Sequence, residues 1–211
     1  MNRKRTLFAA AVSALVLTGC AGQSGGTTST APSTASPAPS APASAAPQTS
    51  AAARTLLSAY GLTGKDAVQI IDHLDRLGGA ERPADLKASV RPGELALSGG
   101  GQEVVLPLPA DRFYLSVAPY TDRTHECFHH SLTTCAGELA GKDMQVTITD
   151  AASGEVLVDE TRTTFANGFT GFWLPRGIDG TVTVAYGGRT GQAEISTGQD
   201  APTCLTTLRL A

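Results

Sequence analysis

The chain has 211 residues, of which 41% are hydrophobic and 17% are charged, values close to the averages for globular proteins. All 19 acidic residues lie after residue 53, together with all but three of the 16 basic residues, so the body of the chain is mildly acidic. This charge argues against nucleic acid as a partner, because phosphate binding needs a basic surface. No apolar run reaches the roughly 18–20 residues of a membrane span, which excludes a polytopic membrane protein.

Residues 1–19 are predicted to be a lipoprotein signal peptide. A basic cluster, Arg3 to Arg5, precedes an apolar stretch over residues 7–17 that is too short to cross a bilayer. The stretch ends in LTGC at 17–20, which resembles the lipobox of bacterial lipoproteins. This resemblance implies that Cys20 carries lipid, and it places the mature protein outside the cytoplasm, anchored to the bacterial cell membrane.

Residues 20–53 are predicted to be the lipidated cysteine followed by a disordered tether. Every residue from 21 to 53 is Ala, Gly, Ser, Thr or Pro, except Gln23 and Gln48. Because such a segment has no large apolar side chain to bury, nothing offsets the entropy lost on ordering it.

Residues 54–90 show the apolar spacing of helices. A short helix is predicted around residues 56–60, ended by Gly61. Thr63 and Asp66 resemble a capping box for a second helix, and Ala67, Ile70, Ile71, Leu74 and Leu77 follow at helical spacing. His73 falls on the polar side of this helix and is interpreted as a surface histidine.

After residue 91 the pattern changes to the alternation of β-strands. Two runs flank Gly99, Gly100 and Gly101 in the manner of a hairpin, and further β-rich runs follow at 113–117, 146–148, 156–158, 181–186, 193–196 and 205–210. Short turns between successive strands favour antiparallel pairing. The predicted fold class is α+β: a small N-terminal helical segment followed by a mainly antiparallel sheet or sandwich over residues 91–211, which carries a Cys/His loop.

The predicted loop lies between Tyr120 and Leu139 and holds most of the reactive side chains. His125, Cys127, His129, His130 and Cys135 all lie within it, and Cys204 lies far downstream. With Cys20 lipidated, three cysteines remain, and an odd number cannot all pair within one chain. The alternatives are one disulfide with a free thiol, an intermolecular bridge, or a thiolate site for a soft ion such as Cu(I) or Zn(II).

The sequence HECFH at 125–129 also matches the H-E-x-x-H pattern of zinc proteases. The flanking residues show no apolar helical face, and a thiol lies inside the motif. A metalloprotease is therefore not favoured.

Several longer strings resemble the CueP family of exported copper-binding proteins. They surround all three downstream cysteines and read FYLSVAPY at 113–120, THEC at 124–127, HSLTTC at 130–135, GEL at 137–139, ANGF at 166–169, GFWLP at 171–175 and PTCLTTL at 202–208. The resemblance covers most of residues 105–211, and residues 54–90 match more loosely. The lipobox and tether depart from the soluble periplasmic members of the family.

The resemblance implies copper binding by Cys127, Cys135 and Cys204, with His125 and His130 as supporting ligands. It also implies a role in copper tolerance and a homodimer. The cofactor expected is copper as Cu(I), with zinc as a surrogate. Expected partners are the copper ion, a membrane reached through the N-terminal lipid, and an exported enzyme that receives copper.

Two functions agree with these residues. The first is a binding protein that holds Cu(I) by thiolates for tolerance, buffering or delivery, and this one is favoured. The second is a thiol-based reductase of Cu(II) or Fe(III), in which Cys127 and Cys135 cycle between dithiol and disulfide. Turnover with an electron donor separates the two, because a copper buffer does not regenerate thiols.

Overall fold

The computed structural model describes residues 50–211, so the predicted signal peptide, Cys20 and the tether up to residue 49 lie outside the described residues. Two helices come first, α1 (Ala51–Ala59) and α2 (Ala67–Leu74), followed by a short 3-10 turn at Gly79–Glu81. The first helix therefore begins within the range predicted as tether. Within residues 50–211, no helix is long and apolar enough to cross a membrane.

The capping of α2 differs from the predicted register. Asp66, not Thr63, is the N-cap: its side chain accepts from the backbone N–H of Gln69, and the Gln69 side chain accepts from the backbone N–H of Asp66. The predicted capping box has Thr63 as the N-cap and Asp66 as the third helical residue. In the structure Asp66 is itself the N-cap, so α2 begins three residues later than predicted. His73 is exposed on this helix, as predicted.

Strands fill the rest of the chain, beginning at Lys87 inside the range predicted as helical. They are β1 (Lys87–Arg91), β2 (Glu94–Gly99), β3 (Gln102–Pro107), β4 (Arg112–Val117), β5 (His130–Ser131), β6 (Asp143–Asp150), β7 (Val156–Thr163), β8 (Thr170–Pro175), β9 (Asp179–Tyr186), β10 (Arg189–Ser196) and β11 (Cys204–Leu205). The predicted α+β class is confirmed. The last strand is shorter than the run predicted at 205–210.

The described strands form three sheets, ordered β3-β2-β1-β5, β10-β9-β6-β7 and β11-β4-β8. Their pairings are antiparallel except that between β11 and β4. The β2–β3 hairpin turns through Gly100 and Gly101, which both have positive φ angles and so suit the tight turn predicted there.

Strand β4 lies between two hydrophobic cores because its side chains alternate. Phe113, Leu115 and Val117 belong to the core between the second and third sheets. Tyr114 belongs to the other core, which the two helices share with β1, β2 and β3. Side chains on the Tyr114 face of β4 therefore point towards the helical segment.

Candidate metal centre

Four side chains, three from the loop that follows β4 and one from β11, converge beside β4. They are Cys127 in the loop after β4, His130 on β5, Cys135 in the following turn and Cys204 on β11, and their ligand atoms all lie within 4.8 Å of one another. The Sγ atoms of Cys127 and Cys135 are 3.4 Å apart, and Nδ1 of His130 is 3.6 Å from Sγ of Cys204. The three cysteines are free thiols.

Cys204 reaches the cluster through the parallel pairing of β11 with β4. In this register Cys204 lies opposite Ser116, and the Ser116 N–H donates to the carbonyl of Thr203. Two strands far apart in the sequence thus fix the third thiol, which spacing along the chain does not predict.

Thr203 ties the loop to both strands. Its backbone N–H donates to the carbonyl of Phe128, and its hydroxyl accepts from the backbone N–H of His130 at 3.0 Å. The same hydroxyl donates to the carbonyl of Val90 on β1 at 2.6 Å. Since Thr203 directly precedes Cys204, these bonds hold Cys204 and His130 in a fixed relation.

The start of the loop is held by one carboxylate. Glu138 accepts hydrogen bonds from the backbone N–H groups of Thr121, Asp122 and Arg123. These bonds, that of Thr121 foremost, lower the pKa of Glu138 to about 2. The carboxylate is therefore ionised at neutral pH and clamps the two ends of the Cys/His loop together.

The far end of the loop is held by a close approach of two backbones. Gly137 donates its N–H to the carbonyl of Asn167 at 2.7 Å, and a Cβ at Gly137 would lie 2.5 Å from the carbonyl oxygen of Gly168. Because no side chain fits there, glycine at 137 lets the segment after Cys135 pack directly against the turn that precedes β8.

The exposure of the cluster is graded from one side to the other. His130 is fully buried and Cys204 is 4% exposed, whereas Cys127 and Cys135 are half-buried. Cys135 also lines a surface cavity of about 510 Å³. The more exposed side of the cluster is therefore that of Cys127 and Cys135.

The thiols differ in acidity. Hydrogen bonds from the thiols of Cys127 and Cys204 lower the pKa of Cys135, and the charge of His130 lowers it further, against the opposing effect of burial. The same contacts with Cys127 and Cys135, together with burial, raise the pKa of Cys204. These opposite shifts make Cys135 more readily ionised than Cys204.

A buried carboxylate stands behind the histidine. Oδ1 of Asp75 lies 2.6 Å from Nε2 of His130, and both side chains are fully buried. Burial alone would lower the pKa of His130, but the charge of Asp75 and its hydrogen bond raise it well above the usual value. Burial alone would raise the pKa of Asp75, but the charge and hydrogen bonds of its partners lower it.

Sequence reasoning missed Asp75, although a signal was present. Asp75 follows Ile71 by four residues and Leu74 by one, so it lies on the apolar face of the predicted helix. A carboxylate on a buried helical face needs partners, because an unpaired buried charge is costly. That position alone could have marked Asp75 as a residue of interest.

The other histidines lie outside the four-residue cluster. The centre of the His125 ring lies 6.2 Å from that of Phe169, and the centre of the His130 ring lies 4.5 Å from the same phenylalanine ring. His125 also lines the surface cavity that Cys135 lines. His129 is exposed, with its ring against Phe128. Residues 125–129 form no helix, so the zinc-protease geometry is absent from this segment.

The only tryptophan of the chain is not part of the cluster. Trp173 donates from Nε1 to Asp72 at 3.0 Å, and its ring lies 4.8 Å from the ring of Tyr114. It is partly buried and packs against the core of the helical segment.

Comparisons with known proteins agree with this arrangement. Residues 69–209 match the model of the family described as periplasmic copper-binding protein CueP. A crystal structure described as that of S.CueP is 45% identical, with a TM-score of 0.71, over 75% of this chain and 96% of that one. None of the curated proteins compared with the chain matches it. The chain belongs to the CueP family of periplasmic copper-binding proteins.

Proposed function

We propose that this protein holds Cu(I) outside the cytoplasm through the thiolates of Cys127, Cys135 and Cys204. The observation that carries the proposal is the convergence of three thiols and one imidazole nitrogen within 4.8 Å. Thiolates are soft ligands and select Cu(I) over harder ions. The site serves copper tolerance, as a buffer or as a source for delivery.

His130 supplies the fourth donor in this proposal. Its Nδ1 faces Cys204 at 3.6 Å, while its Nε2 is engaged by Asp75. Three sulfurs and one nitrogen also suit tetrahedral Zn(II), which we expect to act as a surrogate. Because Cys204 is protonated in the metal-free cluster, metal binding releases protons.

His125 remains proposed as a supporting ligand at the entrance. Its Nε2 is buried and makes no hydrogen bond within residues 50–211. Since His125 shares a cavity with Cys135, it is placed to hold an ion on the way into or out of the cluster.

A second function is supported by the pair Cys127 and Cys135. Their sulfurs are 3.4 Å apart, and the pKa of Cys135 is lowered, so this dithiol is suited to oxidation. Two Cu(II) ions would each accept one electron as the two thiols form a disulfide and release two protons. Cys204 would then act as ligand or resolving thiol, and an external donor must restore the dithiol.

The location and partners are proposed on separate grounds. The lipobox supports a lipid at Cys20 that anchors the protein to the cell membrane. The family supports a homodimer, and an exported copper enzyme is the proposed recipient of the ion.

The test is a competition titration of Cys204→Ser against a Cu(I) chelator, beside the unmodified protein. Cys204 is the most buried of the three thiols, and its loss leaves two sulfurs and His130. We expect affinity to fall at least about tenfold, which corresponds to about 1.4 kcal/mol. Equal affinity would remove Cys204 from the site and leave the dithiol function standing.

A further inference from the structure

Asp75 is the C-cap residue of α2 and is fully buried. Its position links the helical segment to the Cys/His loop, because its carboxylate contacts side chains from three other parts of the chain. This carboxylate is not among the residues whose ligand atoms form the four-residue cluster.

Each oxygen of the Asp75 carboxylate accepts hydrogen bonds from two side chains. Oδ2 accepts from the Tyr114 hydroxyl at 2.6 Å and the Ser116 hydroxyl at 3.2 Å, both on the same face of β4. Oδ1 lies 2.6 Å from Nε2 of His130 and accepts from Nδ2 of Asn167 at 2.9 Å. An ionised carboxylate has about four acceptor positions, so every position is filled.

The surrounding bonds leave Asp75 one orientation. Oδ1 of Asn167 accepts from the backbone N–H of Phe169, so the Asn167 amide must present its NH₂ group to Asp75. Nδ2 of Asn167 also donates to the backbone carbonyl of Asp75. The carboxylate is thus held at its two oxygens and at its own backbone.

A fixed acceptor at Nε2 decides which nitrogen of His130 can bind a metal. An ionised carboxylate only accepts, so the Nε2 atom must carry a proton. When His130 gives up its other proton to bind a metal, the lone pair is therefore on Nδ1, which lies 3.6 Å from Sγ of Cys204 and faces the thiols. A carboxylate on the non-ligating nitrogen commonly sets the tautomer and ring orientation of metal-binding histidines.

We propose that Asp75 is a positioning residue of the copper site: it holds His130 in the Nε2–H tautomer and aims Nδ1 at the three thiols. This inference rests on the proposed function, because it concerns how His130 meets Cu(I). It gives the helical segment, through its C-cap residue, a part in the site.

Three variants test the proposal. Asp75→Ala removes the acceptor from Nε2. Asp75→Asn keeps it, because the hydroxyls of Tyr114 and Ser116 can turn to accept from the new NH₂ group while the amide oxygen still faces His130 and Asn167. Leu74→Ala is the matched control, since Leu74 is the buried neighbour of Asp75 on the same helix and belongs to the helical core, whereas the three thiols belong to a separate cluster.

Cu(I) affinity is measured by chelator competition on the full chain. Asp75→Ala is expected to bind at least about tenfold more weakly, within the range found when such carboxylates are removed. Asp75→Asn should recover most of the loss, and Leu74→Ala should unfold at lower temperature with unchanged affinity. Equal losses in Asp75→Ala and Leu74→Ala, or none in either, would overturn the proposal.

The tautomer is read separately by NMR of the Cu(I)-loaded protein with ¹⁵N-labelled histidine. We expect the His130 proton on Nε2 in the unmodified protein, a result that needs no variant to fold. A proton on Nδ1 would refute the positioning role of Asp75. If the unmodified protein fails to bind Cu(I), the proposed function fails instead, so the two failures are distinguishable.

Discussion

Thr203 offers a direct way to loosen the cluster without touching a ligand. The substitution Thr203→Val keeps the shape of the side chain and removes only its hydroxyl. Two buried backbone groups then lose their partner: the N–H of His130 and the carbonyl of Val90. Thr203 itself is fully buried, so water does not replace the bonds.

The magnitude follows from these two lost bonds. Each buried group left without a partner costs about 1–3 kcal/mol, so we expect the two together to lower the free energy of unfolding by about 2–6 kcal/mol. For a folded part of this size, that corresponds to a fall of roughly 4–24 °C in Tm. Cu(I) affinity should fall as well, because Thr203 links Cys204 to His130.

A matched control lies three residues further along the chain. Thr206 is 1% exposed, but its Oγ1 makes no hydrogen bond within residues 50–211. Thr206→Val should therefore leave stability unchanged or raise it, because it removes an unsatisfied buried hydroxyl. Thermal unfolding of both variants tests whether the hydrogen bonds of Thr203 stabilise the site. If Thr203→Val loses no more stability than Thr206→Val, these bonds do not hold the site.

Three further predictions concern the edges of the site and the anchor. The lowered pKa of Glu138 means that its contribution to stability is present above about pH 4.5 and is lost as pH falls towards about 2. The stability difference between the unmodified protein and Glu138→Gln should therefore shrink over that window in acid titrations, and a constant difference would contradict the clamp. His125→Gln should slow Cu(I) transfer to a chelator in stopped-flow measurements while leaving the equilibrium affinity within about threefold; an unchanged rate would remove His125 from the entrance. Cys20→Ser should release the protein from membranes, and sedimentation of the variant with membranes would refute the lipobox interpretation.

The sequence predicts the individual helices and strands better than the contacts between them. Alternation located the strands on both sides of Gly100 and Gly101, since a half-buried strand imposes its period directly on the residues. The predicted capping box of α2 lies three residues too early, because both Thr63 and Asp66 can serve as N-cap and only the start of the helix distinguishes them.

The cluster depended on contacts that no local pattern encodes. Cys127, His130 and Cys135 lie within one loop, and their residue types already indicated a site for a soft ion. Cys204 joins them through the parallel pairing of β11 with β4, which spacing does not reveal. The resemblance to the family implies Cys204 as a ligand, whereas the proposed role of Asp75 depends on the packing of α2 against β4.

The coordination of the bound ion tests the central claim most directly. X-ray absorption at the copper edge, on the full chain loaded anaerobically with one equivalent of Cu(I), reports the number of sulfur neighbours. Cys127, Cys135 and Cys204 predict a shell of three sulfurs with one imidazole nitrogen from His130. A shell of nitrogen and oxygen alone, or of a single sulfur, would contradict a copper site built from the three thiols.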